Sequence, residues 1–212
     1  MGSAEDRTAK VVRVWDSAAP RYDRSMGLLE RFWFDGGREW LAARVSGKVL
    51  EVAIGTGRNL DYYPANVSVT GVELSPGMLA FARQRAADLG RTVDLYEGDA
   101  EQLPFGDDTF DTVVCALSLC SIPDPAAAIG EMRRVLKPGG KLLLLDHIGS
   151  SWWPIRALQW LVEQVTRRAA GEYWTRRPLP LVEAAGLEIL ETERLKAGTI
   201  ERVAARKPVQ SS

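Results

Sequence analysis

The sequence predicts an α/β fold in which a seven-stranded, mostly parallel sheet is covered by helices on both faces. Between residues 47 and 147, apolar runs alternate with amphipathic segments of helical spacing, a pattern typical of parallel strands buried between helices. Residues 187–207 form two strand-like runs joined by a short turn, which predicts an antiparallel addition at the sheet edge. The 212 residues, 46% of them apolar, are enough for one domain with a substantial core.

Seven short apolar runs bounded by turn-forming residues are predicted as strands. They are GKVLEVAI (47–54), VSVTGVEL (67–74), TVDLYEG (92–98), FDTVVCALSL (110–119), KLLLLDHI (141–148), LEILETERL (187–195) and IERVAARK (200–207). The first five alternate with helices and are expected to be parallel, whereas the last two form the terminal hairpin.

Capping residues mark the helices between these strands. Ser75 is the predicted N-cap of one helix, Pro76 occupies its first turn, where a missing N–H costs nothing, and Gly90 closes it. Asp124 caps the next helix, with Pro125 in its first turn, and a Lys-Pro-Gly-Gly segment is expected to end it. Helices are also predicted at 151–169 and 178–186, and a short polar helix directly after the first strand.

The two ends of the chain differ in composition from the central block. Residues 1–46 are predicted to form an N-terminal helical lid outside the sheet, and residues 47–212 a single globular domain with a helical insertion at 151–185. All seven tryptophans lie outside residues 47–147, at positions 15, 33, 40, 152, 153, 160 and 174. Their rings either line a pocket or pack the flanking helices onto the core, and packing does not exclude lining.

Composition excludes several classes of function. A net charge of −1 provides no field that would attract nucleic acid. The apolar runs are far shorter than the roughly 18 residues of a membrane span, and the N-terminus lacks the apolar stretch of a signal peptide, so we expect a cytoplasmic protein. Cys115 and Cys120, with a single histidine in the chain, cannot form a zinc site of usual composition, and we interpret them as reduced, buried thiols.

A Gly-Thr-Gly turn follows the first predicted strand, and an acid ends the second. Gly55 and Gly57 allow a ligand to approach the backbone, and Glu73 could accept hydrogen bonds from ribose hydroxyls. This pair suits NAD as well as other adenosine ligands, but Leu60 replaces the third glycine of GxGxxG. Glu51, inside the first strand, would repel a diphosphate and suits a ligand with an ammonium group.

Further motifs narrow the choice of ligand. Asp99 ends the third strand in EGDAEQLPF, where it could accept from an adenine amino group. Together with LEVAIGTG, VELSPGML, FDTVVCALSL and EMRRVLKPGGKLLLLDH, this stretch resembles the class I S-adenosylmethionine-dependent methyltransferases, and it is most similar to their type 11 small-molecule branch. The resemblance covers residues 47–148 and implies a Rossmann-like fold, S-adenosylmethionine as the cofactor and S-adenosylhomocysteine as the product.

The resemblance also implies positions for the cofactor. The residues expected to contact it are Tyr22, Glu51, Gly55, Gly57, Asn59, Glu73, Leu74, Met78, Asp99, Ala100, Ala116 and Leu117. Tyr22 would close over the sulfonium through a cation–π contact, and Arg58 could reach the carboxylate beside Asn59. The family commonly has Gly where this chain has Ala53, a departure that bears on how the methionine end is seated. As structural alternatives, Glu73 could be a solvated strand end, Asp99 a turn-forming residue and Tyr22 a packing residue.

His147 is the one histidine of the chain and follows the fifth strand on the ligand side. It could take a proton from the acceptor or orient it, because histidine titrates near neutral pH. Alternatively, Asp146 and His147 are strand-end residues that bond to neighbouring loops. No set of metal ligands is visible, so we expect no metal. Methyl transfer is an in-line displacement that requires alignment and the exclusion of water.

Three details favour a small apolar or amphipathic acceptor. GRNLDYYP, SLCSIPDP and the DHI after the fifth strand resemble bacterial phospholipid N-methyltransferases and membrane-associated thiol S-methyltransferases, and the central block also resembles quinone C-methyltransferases. The apolar residues of the two ends agree with this: Leu28, Leu29, Phe32, Trp33 and Phe34, and Trp152, Trp153, Ile155, Trp160 and Leu161. With Arg156, Arg167 and Arg168 near headgroups, the second group could rest on a bilayer; a buried core or a dimer surface is the alternative.

Two other functions compete with methyl transfer. A nicotinamide oxidoreductase is disfavoured by Glu51, by the missing third glycine and by the antiparallel hairpin. A cofactor-binding but catalytically silent regulatory or membrane-associated protein is compatible with the sequence, because binding residues and turnover are separable. The acceptor atom, the need for a general base and the oligomeric state stay open at this point.

Overall fold

The structure is a computed structural model that describes residues 4–34, 36–169 and 171–209. Its helices are α1 (Ala4–Trp33), α2 (Gly37–Ala42), α3 (Pro76–Asp88), α4 (Pro125–Val135), α5 (Trp153–Ala169) and α6 (Pro178–Ala184), with a 3₁₀ helix at Arg58–Asp61. Its strands are β1 (Lys48–Val52), β2 (Ser68–Glu73), β3 (Val93–Glu97), β4 (Phe110–Ala116), β5 (Leu136–His147), β6 (Glu188–Leu195) and β7 (Ile200–Arg206).

The seven strands form one sheet in the order β3-β2-β1-β4-β5-β7-β6. Neighbouring strands from β3 to β5 are parallel, and β7 runs antiparallel to both β5 and β6. The predicted fold class is confirmed, and the terminal hairpin places its second strand, β7, next to β5. The strand order reverses between β1 and β4, so the carboxyl ends of these strands border the crevice in which open α/β sheets bind ligands.

Apolar side chains cover both faces of the sheet. On one face, Met132 of α4 and Val182 of α6 join a cluster that includes Val113 of β4. On the opposite face, Leu79 of α3 joins a second cluster with Val114. Val113 and Val114 belong to different clusters because successive side chains of a strand point to opposite faces. The sheet is therefore buried on both sides, which explains why its strands are continuously apolar.

The predicted caps of two helices are confirmed. The hydroxyl of Ser75 accepts a hydrogen bond of 3.1 Å from the backbone N–H of Met78 at the start of α3. The Asp124 carboxylate accepts bonds of 3.1 and 3.0 Å from the N–H groups of Ala126 and Ala127 at the start of α4. These side chains satisfy donors that a helix cannot pair internally, so they fix where each helix begins after its strand.

The junction between α4 and β5 differs from the prediction. α4 ends at Val135 and β5 begins at Leu136, so the Lys-Pro-Gly-Gly segment lies in the strand and does not end the helix. Leu136 pairs with Phe110 of β4, and Gly139 has a φ of 80° before the regular pairing resumes. The N–H of Gly139 donates to the carbonyl of Lys207 at 2.8 Å. The segment is thus held by a contact with the far end of the chain, which local sequence does not encode.

The two N-terminal helices precede the sheet in the chain, and α2 packs Trp40 and Leu41 into the cluster on one face of the sheet. Their role as a lid stays a prediction. α1 contacts the start of α3 through Asp16, whose Oδ1 accepts hydrogen bonds from the N–H of Gly77 and the hydroxyl of Ser75. A boundary at residue 46 stays a prediction. Four apolar residues were expected at the apolar end of the lid, and their side chains are not among those that the structure describes: Leu28, Leu29, Phe32 and Trp33.

Candidate functional site

A cavity, here called the first cavity, lies at the carboxyl ends of β1, β2 and β4, where the strand order reverses. Ten of the twelve residues that were expected to contact a cofactor line it: Tyr22, Glu51, Gly55, Glu73, Leu74, Met78, Asp99, Ala100, Ala116 and Leu117. Gly57 and Asn59 are not among its lining residues. They adjoin it through Gly55 and through the Glu51 side chain.

Glu51 projects from β1 into the first cavity and is almost fully buried. Its Oε1 accepts a hydrogen bond of 2.7 Å from the Asn59 amide, and the amide oxygen of Asn59 accepts one of 2.5 Å from Arg38. Burial raises the pKa of Glu51 to about 7, although the neighbouring Tyr63 hydroxyl and Arg38 act to lower it. Oε2 of Glu51 has no hydrogen-bond partner among the described residues. This unused oxygen of a buried carboxyl group fits an ammonium group, which would stabilise the ionised form.

Glu73, at the carboxyl end of β2, holds the glycine turn. Its Oε2 accepts a hydrogen bond of 2.9 Å from the N–H of Gly55, and its Oε1 accepts one of 2.9 Å from the N–H of Ser75. Burial raises the pKa of Glu73, and these backbone donors partly oppose that rise. Glu73 is buried, which is not the environment of a solvated strand end, and each oxygen keeps a lone pair for a further donor.

The backbone around the first cavity uses left-handed conformations. Ala53 and Leu117 line the cavity with φ values of 54° and 55°, which are unfavourable for residues with a Cβ. Gly55 has a φ of 59° and open space where a Cβ would lie. At Gly57, with a φ of 77°, a Cβ would lie 3.0 Å from a methyl carbon of Leu60. Gly55 therefore leaves room for a ligand, whereas Gly57 permits close packing behind the turn.

Asp99 forms a turn and also lines the first cavity. Its Oδ1 accepts a hydrogen bond of 2.9 Å from the N–H of Glu101, and its carbonyl accepts one of 3.1 Å from Gln102. Asp99 can therefore both form the turn and accept a hydrogen bond from a ligand, because the turn uses only one of its carboxylate oxygens.

Asp23 joins α1 to the glycine turn. Its Oδ1 accepts a hydrogen bond of 2.6 Å from the Thr56 hydroxyl, and its Oδ2 pairs with the Arg85 guanidinium. The guanidinium of Arg58 also lies 3.6 Å from Asp23 Oδ1. Because Tyr22 directly precedes Asp23, these bonds hold Tyr22 at the edge of the first cavity.

A second cavity of about 410 Å³ shares part of its lining with the first. It is lined by Trp15, Tyr22, Met26, Phe34, Leu117, Cys120, His147, Ile155, Leu158, Gln159, Val162, Glu172, Trp174 and Thr199. Trp15, Tyr22 and Leu117 line both cavities, so the two spaces meet at these side chains. The rings of Trp15 and Tyr22 lie edge to face with centroids 5.9 Å apart. The mostly apolar lining and the volume suit a small ligand or an apolar chain.

His147 lines the second cavity and not the first. Its ring centroid lies 5.0 Å from that of Trp174, and its buried Nδ1 has no hydrogen-bond partner within the described ranges. Asp146 Oδ1 accepts the backbone N–H of His147 at 2.8 Å, and donor atoms of Cys120, Asp146 and His147 all lie within 4.8 Å of one another. Burial raises the pKa of Asp146 and that of the Cys120 thiol. The fold thus gathers three side chains of metal-ligand type that the sequence did not indicate as a set.

Glu172 is a further acid of the second cavity. Burial raises its pKa, while His147 and the Trp174 indole act in the opposite direction. The neighbouring N–H of Tyr173 donates to the carbonyl of Cys120 at 2.9 Å, which fixes this segment against the loop after β4.

α5 turns polar side chains toward the rest of the protein. Gln159 accepts a hydrogen bond of 2.8 Å from the N–H of Ser150 and donates one of 3.0 Å to the carbonyl of Ile148. Glu163 accepts bonds of 2.8 and 2.7 Å from the backbone and hydroxyl of Thr175. Both side chains are buried, which reverses the usual arrangement of an amphipathic helix on a core.

The exposed surface of α5 and of the turn before it is correspondingly apolar. The exposed apolar side chains here are Trp152, Trp153, Leu158, Trp160, Leu161, Val162 and Val165. Leu158 and Val162 also line the second cavity, so this surface continues into the cavity. Among the described helices, none is long and apolar enough to pass through a bilayer.

Several residues at these cavities escaped the sequence interpretation. Arg38 and Glu172 line the cavities, and Asp23 anchors the helix above them, yet none of the three was predicted for a role. Trp15, which lines both cavities, was predicted only as one of seven rings that either line a pocket or pack the flanking helices. Asp23 directly follows Tyr22, the one residue of this stretch for which a role was predicted. The others come from α1, α2 and the segment after α5, whose placement depends on tertiary packing.

Comparisons with known proteins agree with this geometry. A model of a methyltransferase domain family, Methyltransf_11, matches residues 50–144. The chain is 36% identical over 143 residues to a phosphatidylethanolamine N-methyltransferase of Cereibacter sphaeroides, and the match covers 65% of this chain and 68% of the relative. It is 30% identical over 229 residues to a ubiquinone/menaquinone biosynthesis C-methyltransferase, UbiE, of Cupriavidus pinatubonensis, with 95% of this chain and 94% of the relative covered.

A solved structure shares the fold. The crystal structure of a protein from Bacillus halodurans, assigned as a methyltransferase, superposes with a TM-score of 0.71 at 24% identity, covering 82% of this chain and 99% of that chain. At 24% identity, this structural similarity establishes only a shared fold. Membership of the family rests on the two sequence relatives.

Proposed function

Because the chain belongs to the S-adenosylmethionine-dependent methyltransferases, we propose that it transfers a methyl group to an amphipathic acceptor held in the second cavity. The observation that carries this proposal is the shared wall of the two cavities at Trp15, Tyr22 and Leu117. A methyl group presented by a ligand of the first cavity would there face a ligand of the second. This arrangement suits an in-line displacement in which the protein aligns two partners and excludes water.

The first cavity provides complementary groups for each part of the cofactor. When bound, S-adenosylmethionine supplies a methyl group that its sulfonium already activates. Glu51 would bind the ammonium group through the unused Oε2, and Arg38, which lines the cavity beside Glu51, would bind the carboxylate. Glu73 would accept the ribose hydroxyls and Asp99 the adenine amino group. Tyr22 would cover the sulfonium, where an aromatic face favours a cation.

His147 is the proposed general base. It lines the second cavity with a buried Nδ1 that has no hydrogen-bond partner in the described part of the chain, and it can take the proton that the acceptor loses. Asp146 holds the backbone of His147, and Glu172, which lines the same cavity, would stabilise an imidazolium. Removing the imidazole should slow turnover more than it weakens binding of the cofactor.

The acceptor is proposed to carry an apolar chain and to come from a membrane surface. The named relatives are a phosphatidylethanolamine N-methyltransferase and a ubiquinone/menaquinone biosynthesis C-methyltransferase. The second cavity has aromatic and aliphatic walls, and the exposed apolar surface of α5 leads into it. The exposed side chains of Arg156, Arg167 and Arg168 on the same helix would favour anionic lipid.

The proposal is tested with the purified chain, methyl-labelled S-adenosylmethionine and a panel of thiols, amines, phenols, quinols and phospholipids. Each acceptor is paired with an analogue that has the same reactive group and no apolar chain. We expect label transfer to at least one chain-bearing acceptor, with kcat/KM about tenfold or more above that of its short analogue, because an apolar chain of several carbons adds about 0.8 kcal/mol per buried methylene.

Two variants make the result interpretable. His147→Ala should lower kcat while the dissociation constant of the cofactor, measured by calorimetry, stays within about twofold. Leu190→Ser, on the exposed surface of β6, serves as the matched control and should leave both quantities unchanged. Tight binding of the cofactor without turnover of any acceptor would instead favour the catalytically silent protein. Preference for the short acceptors would contradict an amphipathic substrate.

A further inference from the structure

The second cavity combines aromatic rings with carboxyl groups. Trp15, Tyr22, Phe34 and Trp174 contribute rings, and Glu172 contributes a carboxyl group. Asp146, almost fully buried, adds a second carboxyl group behind His147. Among the described lining residues there is no lysine or arginine, so the one group that can become cationic there is the imidazole of His147.

This combination discriminates between acceptor classes by charge. A phenolate, a thiolate or a phosphate would meet the carboxyl group of Glu172, and none of the described lining residues is a lysine or an arginine. Arg176 interacts with Asp146 and Cys120 but does not line this cavity. A nitrogen centre that becomes cationic would be attracted both by the carboxylate and by the negative faces of the aromatic rings, as in sites that bind quaternary ammonium groups. The charge of the cavity thus favours the product of an amine methylation over that of the other acceptors.

We propose that the second cavity is an amine site, in which Glu172 and the rings of Trp15, Tyr22 and Trp174 receive the nitrogen of an acceptor amine that carries an apolar chain. The inference deepens the proposed function and rests on it, because it names the acceptor class of the same cavity. Trp15 and Tyr22 also line the first cavity, so a nitrogen between these rings and Glu172 faces the cofactor site.

The chemistry of this assignment balances. The lone pair of the neutral amine forms a nitrogen–carbon bond to the methyl carbon, and the electron pair of the broken carbon–sulfur bond stays on sulfur as a neutral thioether. The alkylated nitrogen carries the positive charge. For a primary or secondary amine, its proton passes to the imidazole of His147 and from there to solvent, which frees the nitrogen for another round.

The test measures binding and does not require turnover. Octyltrimethylammonium, 1-octanol and octyl sulfate share one tail and differ in the charge of the head. They are titrated by calorimetry into the full chain in the presence of S-adenosylhomocysteine, with the ionic probes below their critical micelle concentrations and 1-octanol below its solubility in water. We expect octyltrimethylammonium to bind at least tenfold more tightly than 1-octanol, and octyl sulfate to bind most weakly. Octylphosphocholine, as a fourth probe, distinguishes an aminophospholipid from a free alkylamine as the source of the nitrogen.

Glu172→Gln keeps the shape of the side chain and removes its charge, and it should abolish most of the preference for the cation. Glu183→Gln removes an exposed negative charge from α6 and should leave the preference intact. Equal or tighter binding of 1-octanol or octyl sulfate, or a preference that Glu172→Gln leaves unchanged, would overturn the inference.

The two proposals fail in different ways. A chain that methylates a long-chain alcohol, phenol or thiol and shows no preference for the cation contradicts the amine site alone. A chain that prefers octyltrimethylammonium through Glu172 but methylates no acceptor contradicts the proposed function and leaves the binding site in place.

Discussion

Arg38 and Glu51 place a basic and an acidic side chain in the first cavity, where the amino-acid end of the cofactor is proposed to bind. Arg38 donates to the Asn59 amide, which in turn donates to Glu51, so a cation and an anion line the same cavity. We predict that Arg38→Ala raises the dissociation constant of S-adenosylmethionine about tenfold or more, because a charge-assisted hydrogen bond contributes about 1.5–3 kcal/mol. Decarboxylated S-adenosylmethionine lacks the group that Arg38 would bind, so its affinity should change little.

The control for Arg38 is Arg58→Ala. Arg58 also lines the first cavity, but its guanidinium lies close to Asp23 of α1. If Arg38 only supports Asn59, then Arg38→Ala should weaken both ligands equally in calorimetry. If Arg58→Ala, and not Arg38→Ala, removes the preference for the carboxylate-bearing ligand, the carboxylate is bound by Arg58.

Ala53 is the residue at which the chain departs from its family, and its φ of 54° gives that departure a measurable consequence. A left-handed conformation costs a residue with a Cβ about 1–2 kcal/mol, and glycine avoids this cost but loses more entropy on folding. We predict that Ala53→Gly raises the free energy of unfolding by about 0.5–1 kcal/mol in urea denaturation. Ala80→Gly, on the exposed side of α3, should lower it by a similar amount. A destabilised Ala53→Gly variant would contradict the strain.

At the scale of elements, α5 has an exposed apolar surface of the kind that binds a membrane or another protein. Its buried polar contacts through Gln159 and Glu163 leave Trp153 and Leu161 exposed. We predict that the chain floats with anionic vesicles at low salt, that salt weakens this association, and that the double substitution Trp153→Ser and Leu161→Ser reduces it severalfold. The altered side chains are exposed, so the fold should persist.

The matched control for α5 is again Leu190→Ser, which removes an exposed leucine on β6. It should float like the unaltered chain. The absence of flotation at low salt would argue against a membrane surface, and equal flotation of the double variant would place the contact elsewhere on the molecule.

The same scale shows what the sequence could predict. The start of α3 and that of α4 were predictable because Ser75 and Asp124 cap the helices locally. The start of β5 was not, because Gly139 is held by Lys207 from the far end of the chain. The lining of the cavities followed the same rule: Glu73 stands in a motif that predicted its position at the first cavity, whereas Glu172 reaches the second cavity by tertiary packing and was not predicted there. Local signals therefore predict the helix ends that they cap, whereas positions held by long-range contacts cannot be predicted from the local sequence.

For the whole molecule, stability depends on acids shifted in opposite directions. Hydrogen bonds from partner side chains lower the pKa of Asp111, Glu131 and Glu191. These acids therefore stabilise the folded state at pH values above the ordinary pKa of a carboxyl group, and this stabilisation is lost as the pH falls through their lowered pKa values. Burial raises the pKa of Glu51 and Glu73. Their contribution to stability therefore has the opposite pH dependence: it is present at low pH and is lost as the pH rises through the raised pKa values. Stability should therefore decline on both sides of a mildly acidic optimum.

Glu51 contributes to the alkaline side of this balance, and it is the residue proposed to bind the ammonium group of the cofactor. Its pKa rises from 4.5 to about 7 on folding, so its contribution is complete below pH 4.5 and lost as the pH rises through 7. At 1.36 kcal/mol per pKa unit, the loss is about 3 kcal/mol. Glu51→Gln cannot ionise, so the difference in unfolding free energy between the variant and the unaltered chain should grow by about that amount between pH 5 and 8. Glu97→Gln, at an exposed strand end, should show no such growth.

An ammonium group beside Glu51 would stabilise its ionised form, so S-adenosylhomocysteine should raise the Tm of the unaltered chain more at pH 8 than at pH 6. Parallel pH profiles for the unaltered chain and Glu51→Gln would contradict this account of the buried acid.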